Sequence, residues 1–530
     1  MLKEIKLQDE ALLGCPASKI IAGLPHRFSQ GILYWARETP NALALRTSVG
    51  DFTYLDLSLA VEESILLLRR AQVRAGDRVM LVCENGPAAI FLFIALSEMN
   101  AIAVVVNARL SEREIQLIES DCEPRRIFYP LCDSEAAAVH GLGSICEMSY
   151  GQVMMSELSG VEPEMVYSRS EDQVVAMIYT TGTTGTPKGV MLTQRNLSFM
   201  AFVSGRLRQI SSLDRIYCVL PISHIFGLSA VCCSVLSSGG SLHLAARFDA
   251  REVLKALFTG GITGLFGVPT MYALILDLID VIDVSLVSNT KTDNLRFLYA
   301  GGSPLDPNLK QRVEARFGLP LHNGYGLTET GPTICQTRLY APQSDCSVGF
   351  GLPCVAVEIR SSRKGIEGKV KANVVEKGEI GELWVKGPSV MKGYFRKPEL
   401  TREVVQDGWF NTGDLAFQNE IGTYEIAGRT KELIIKSGFN VYPPEIEAIL
   451  SEHPQVSLCA VVGRKRDHDE EILAFIQAVE DQDIDQDEIR LFARERLAAY
   501  KIPSLFFILE ALPTSPSGKI LKHRLLEDIT

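Results

Sequence analysis

Apolar positions recur every three to four residues from Leu55 to Arg70, and the last turn is basic, which predicts a helix. After the turn Ala75-Gly-Asp77 the pattern becomes a short continuous apolar run, Arg78–Cys83, which predicts a buried strand. Gly86–Met99 then reads as an apolar helix and Ala101–Val106 as a second strand. Strand, helix, strand implies parallel pairing under covering helices. The unit recurs: strands at Val174–Ile178, Ile216–Leu220, Ser241–Leu244, Leu295–Ala300 and Pro320–Asn323 alternate with helices at 196–206, 227–236, 250–257 and 309–317.

The texture changes after about Cys335. Short strands separated by turns, around Val355, Gly381–Lys386 and Gly422–Ile426, predict a small β-barrel. Beyond Thr430–Lys431 the pattern is α+β: strands 457–462 and 472–479, then a helix 487–497. The expected architecture is α/β. A large N-terminal domain, residues 1–430, holds two parallel-sheet subdomains and the barrel part (about 336–430). A small mobile α+β domain covers 431–530.

Composition narrows the class. The chain has 530 residues, 46% apolar and 22% charged, ordinary for a globular enzyme with a large core. Net charge is −11 with no Lys/Arg-rich run, which disfavours nucleic acid as a partner. Twelve scattered cysteines include no C-x-x-C pair, so they read as free thiols in a reducing compartment. The start has no signal-peptide core and no apolar run reaches a membrane-spanning length. The expectation is a cytoplasmic enzyme without a transmembrane segment.

The chemistry concentrates at Thr181–Gly189, where four Thr, three Gly and one Lys occupy nine residues. Glycine lets backbone approach a ligand closely, hydroxyls and bare N–H groups donate to phosphate oxygens, and Lys188 adds charge. The spacing is not that of a Walker A loop: Lys188 is followed by Gly189, and Pro187 stands five residues after Gly182. This is a phosphate loop of another kind.

Six further motifs follow in order: Ala300-Gly-Gly-Ser-Pro-Leu305, Asn323-Gly-Tyr-Gly-Leu-Thr-Glu-Thr330, Gly408-Trp-Phe-Asn-Thr-Gly-Asp414, Gly428-Arg-Thr-Lys431, Gly438–Glu447 and Ser517-Gly-Lys519. With the phosphate loop they resemble the signature of the adenylate-forming (acyl-activating) superfamily, in its acyl-CoA synthetase and aryl-CoA ligase branch, over residues 30–525. The resemblance implies an AMP-forming ligase: a carboxylic acid and ATP give acyl-adenylate and pyrophosphate, and the acyl group then passes to CoA.

By that resemblance, Thr180, Thr181, Gly182, Thr183, Thr184 and Lys188 hold the β- and γ-phosphates. Thr328 contacts the α-phosphate and Glu329 holds Mg²⁺. Tyr325 and the Gly301-Gly302 backbone sandwich adenine, Asn323 is a further nucleotide-binding residue, Asp414 accepts both ribose hydroxyls, and Arg429 assists at the ribose or phosphate. Lys519 bridges carboxylate and α-phosphate in the adenylation step. Lys431 is the hinge, rotation about it brings the loop at Gly438 to the site for thiol entry, and His224 gates the acyl pocket. Two departures are peripheral: Thr181 replaces a usual Ser, and Thr514 a usual Lys or Arg.

The substrate reading is coarser. The segment after His224 lacks the Asp that would bind an amino-acid ammonium group. Phe226, Leu228, Val268, Ala300 and Leu327 make an apolar pocket for a medium-chain fatty or aryl acid. No arginine stands out in the sequence for a second carboxylate. A fatty-acyl-AMP ligase loading a separate acyl carrier protein is the nearest alternative; a luciferase-like or inactive nucleotide-binding homologue is the other.

Overall fold

The computed structural model describes residues 1–181, 187–281, 294–361, 373–436, 439–466, 469–479, 484–515 and 519–527. Gly182, Thr183, Thr184 and Gly438, and the side chain of Thr181, lie outside the described residues.

Two large mixed sheets carry the N-terminal part. The first has nine strands, and its centre runs parallel through Leu321–Gly326, Phe297–Gly301, Gly264–Gly267, Arg215–Cys218, Ser241–Leu244 and Leu43–Thr47, with antiparallel strands at both edges. The second has eight strands, with Val174–Thr181, Ile102–Asn107, Arg78–Cys83 and Arg126–Pro130 parallel at its centre. The helix Pro87–Glu98 buries every residue from Pro87 to Ser97, as an all-apolar helix must. Gln194, at the start of the helix Gln194–Leu207, ties it in by donating from Nε2 to Ser97 O at 3.2 Å.

The region expected as a small barrel holds a five-stranded antiparallel sheet that includes Ala356–Arg360, Gly381–Lys386, Trp409–Gln418 and Tyr424–Arg429. From Ile434 onward the chain buries two hydrophobic clusters of its own, built on the strands Val456–Arg466, Asp469–Ala478 and Leu505–Leu509.

Local expectations differ from the structure in two instructive places. The helix expected at 227–236 is a π-helix over Phe226–Cys233 followed by one α-turn. Gly227 makes this possible, because a Cβ there would lie 2.3 Å from Pro221 O. After the phosphate loop comes a strand, Pro187–Thr193, folded back antiparallel on Val174–Thr181.

Candidate active site

The Val174–Thr181 and Pro187–Thr193 hairpin sets Thr180 directly opposite Lys188. It is fastened from outside. Tyr179 Oη donates to Asp121 Oδ2 at 2.6 Å, and Lys397 Nζ donates to Asp121 Oδ1 at 2.6 Å and Pro187 O at 3.2 Å. The backbone of 391–397 completes the clasp: Phe395 N donates to Gly189 O at 2.8 Å and Met391 N to Glu329 O at 2.8 Å. Within it, the Lys188 ammonium lies 5.6 Å from the Tyr394 ring centre, and Tyr394 Oη donates to Glu329 Oε1 at 2.7 Å. The clasp thus puts the lysine of the loop and the candidate metal carboxylate on one tyrosine. Tyr394 was missed in the sequence, where only its place in Gly393-Tyr394-Phe-Arg-Lys-Pro-Glu399 marks it.

The strand Leu321–Gly326 carries Asn323 and Tyr325, and a 3-10 turn over Thr328–Thr330 presents Thr328 and Glu329. Tyr325 Oη donates to Asp414 Oδ2. Asp414 stands opposite Arg429 in the strand register, with Arg429 Nε 3.3 Å from Asp414 Oδ1. Burial pushes the Asp414 carboxyl above its ordinary pKa, against the pull of the Arg429 charge and the Tyr325 hydrogen bond. Asn323 is engaged with backbone: Nδ2 donates to Cys346 O at 3.0 Å, and Oδ1 accepts from Gly324 N at 2.9 Å.

Lys519 arrives from the far end of the chain. Ser515 N donates to Lys519 O at 2.7 Å, and Lys519 N donates to Ser515 Oγ at 3.1 Å. Its Cε is 3.6 Å from where a Cβ on Gly302 would stand, and Gly302 has φ +83°, a conformation that favours glycine. Burial lowers the Lys519 pKa and Arg429 adds to that, while Asp414 and Glu329 oppose it. Lys519 also reaches His224 electrostatically. Burial first, and Lys519 second, push His224 down to about 3. Its Nδ1 accepts from Phe226 N at 3.2 Å, so the neutral ring carries its proton on Nε2.

Phe226 packs beside this group: its ring atoms are 3.2 Å from a Cβ position on Gly301, and Val268 Cγ1 is 3.5 Å from that on Gly302. Ser229 Oγ in the π-helix donates to Gly331 O at 2.8 Å, which joins the helix to the Thr328–Thr330 turn. Leu228 is fully buried in the π-helix, and Leu327 is partly buried beside Thr328. Ala300 is also fully buried, and strand alternation puts it on the sheet face opposite Gly301.

Lys431 lies on the exposed turn between Arg429 and the strand Ile434–Lys436. Thr430 N donates to Gly413 O at 2.9 Å and Glu432 N to Arg429 O at 3.0 Å. Among the described residues no group of three or more His, Cys, Asp or Glu side chains could hold a metal. One carboxylate beside the Thr180–Lys188 hairpin instead suits a hard cation such as Mg²⁺ that brings most of its own oxygen ligands. No helix among the described residues is long and apolar enough to cross a membrane.

The chain matches the AMP-binding enzyme family over residues 33–395 and the AMP-binding enzyme C-terminal domain over 445–519. It is 34% identical over 500 residues to a feruloyl-CoA synthase of Amycolatopsis sp, covering 93% of this chain and 98% of the relative. It is 33% identical over 490 residues to a 2-succinylbenzoate–CoA ligase of Bacillus cereus (strain ZK / E33L), covering 92% and 95%. Its fold matches the o-succinylbenzoate coenzyme A synthetase of Bacillus subtilis, solved with ATP and magnesium ion, with a TM-score of 0.77, 28% identity and coverage of 94% and 99%. The chain belongs to the AMP-binding enzyme family, the adenylate-forming superfamily of the sequence resemblance.

Proposed function

We propose that this protein is an AMP-forming acid–CoA ligase acting on an aryl or arylalkanoic acid. One observation carries the reading: Lys519, from the C-terminal segment, enters the N-terminal site beside Gly302 and within the electrostatic reach of His224, Asp414 and Glu329. The aryl end of the substrate range rests on the relatives, whose names specify feruloyl and 2-succinylbenzoyl acids.

In the first half-reaction a carboxylate oxygen attacks the α-phosphorus of ATP and pyrophosphate leaves. Both partners are anionic, so the barrier is largely electrostatic and fixed cations lower it. Lys519 neutralises the approaching carboxylate and the α-phosphate together. Lys188 and the Thr180 end of the hairpin hold the outer phosphates, Thr328 faces the α-phosphate, and Asp414 with Arg429 takes the ribose. Tyr325 closes the adenine side over Gly301 and Gly302. Glu329, held by Tyr394, would be the protein ligand for Mg²⁺, and the ion would supply neutralisation of phosphate charge.

In the second half-reaction the CoA thiolate attacks the acyl carbonyl and AMP leaves. Lys519 serves the adenylation step, so the domain that begins at Lys431 rotates between the steps to admit the thiol. Neutral His224 borders the acyl group at both stages. Pyrophosphate release dependent on an aryl acid, with equimolar acyl-CoA once CoA is added, tests the proposal. Pyrophosphate release with no thioester would move the acceptor to a carrier protein.

A further inference from the structure

Lys519 and Lys522, three residues apart, are held in opposite ways. Burial first and the Arg429 charge second lower the Lys519 pKa. Burial would lower that of Lys522 too, but Glu447 and then Glu432 raise it on balance. Lys522 Nζ is 2.7 Å from Glu447 Oε1 and 3.3 Å from Glu432 Oε2. Lys522 opens the helix Lys522–Glu527, the end where a helix dipole disfavours a cation. The two carboxylates, not the helix, therefore account for its place.

Those carboxylates come from different parts of the chain. Glu447 belongs to the helix Pro443–Leu450, and its Oε1 also accepts from Val461 N at 2.7 Å, which anchors it to the strand Val456–Arg466. Glu432 follows Lys431 directly, and its backbone N donates to Arg429 O at 3.0 Å. Arg429 stands opposite Asp414 in the strand register. On the other side, Leu521 N donates to Pro513 O at 2.8 Å, and Thr514 bridges to Ile520. Leu512 and Leu525 are buried in one cluster, with Ile520 packed against it. Contacts thus run from the Asp414–Arg429 pair through Glu432 and Lys522 to the backbone that carries Lys519.

Resting on the role given to Lys519 above, we propose that Lys522 is a positioning residue for the adenylation step: paired with Glu432, it fixes where Lys519 stands relative to Asp414 and Arg429. Its charge faces the two carboxylates rather than substrate, so it acts through Lys519. Thioester formation does not use Lys519, so only one of the two half-reactions depends on this pairing.

The test follows both half-reactions in single turnovers of the full-length enzyme. Pyrophosphate release is measured with MgATP and ferulate, cinnamate or benzoate, and thioester formation with CoA and supplied feruloyl-adenylate. Lys522→Met should slow pyrophosphate release by roughly 10- to 100-fold, the scale of a misplaced catalytic group. Thioester formation should change by less than about threefold. Lys522→Arg should recover most of the lost rate, and Glu432→Gln should repeat the pattern more weakly. If Lys522→Met does not fold, Lys522→Arg and Glu432→Gln decide by the same split. Equal loss in both half-reactions, or undiminished pyrophosphate release, overturns the inference. Lys519→Ala separates the two levels. If it is impaired in adenylation and the Lys522 and Glu432 variants are not, only the inference fails. If it adenylates like the wild type, the role of Lys519 fails and the inference with it. A wild type that activates none of the three acids removes the aryl-acid reading and the inference together.

Discussion

Tyr394 donates a 2.7 Å hydrogen bond to Glu329 while its ring lies 5.6 Å from the Lys188 ammonium. One side chain therefore fixes both the candidate metal carboxylate and the phosphate-loop lysine. A hydrogen bond to a charged group contributes about 1.5–3 kcal/mol, so Tyr394→Phe should lower kcat/KM for MgATP by roughly 10- to 100-fold. Calorimetric ATP affinity should become more dependent on free Mg²⁺. Unchanged Mg²⁺ dependence would leave Tyr394 a packing residue only.

Lys519→Ala should slow adenylation by roughly 10²- to 10³-fold, the scale of losing one preorganised charge at a transition state. Thioester formation from supplied acyl-adenylate should continue. Single-turnover assays of the two half-reactions separate these outcomes, and equal loss in both would remove Lys519 from its assigned step.

Lys431→Pro should stiffen the turn that follows Arg429, where Thr430 and Glu432 already make backbone hydrogen bonds. Pyrophosphate release in a single turnover should persist while acyl-CoA formation falls at least roughly tenfold. An undiminished thioester rate would move the hinge elsewhere.

Two histidines are held neutral by burial: His224 is pushed down to about 3 and His322 to about 4. In the unfolded chain each titrates near pH ~6.5. Between that pH and about 4 the unfolded state binds more protons, so stability falls as pH falls, by up to about 1.4 kcal/mol per pH unit for each histidine. Denaturant unfolding of His322→Gln should show a shallower acid slope than the wild type over this window. Identical slopes would contradict a neutral His322. For the same reason His224 should contribute no limb to the adenylation pH profile between about 5 and 8.

The parallel core was legible because its elements carry period and length: Arg78–Cys83 is a strand with the bounds its apolar run predicts, and the all-apolar helix beside it spans Pro87–Glu98. The Pro187–Thr193 strand was not, since Pro, Lys and Gly at its start hide the alternation that identifies strands. Lys519 was singled out only through resemblance; a lysine beside Ser and Gly in sequence has no local signal, and only the fold places it against Gly302 across the molecule. Ala300 adjoined the right motif, but strand alternation turns it away from Gly301. Tyr394 meets Glu329, a partner distant in sequence, so only the fold discloses it.

The central claim is tested most directly by following pyrophosphate and acyl-CoA together, with MgATP, CoA and a panel of acids from acetate through long-chain fatty acids to benzoate, cinnamates and amino acids. The account predicts a peak among the aryl and arylalkanoic acids, with one acyl-CoA formed per pyrophosphate released. Pyrophosphate without acyl-CoA, or a peak among the amino acids, would contradict it.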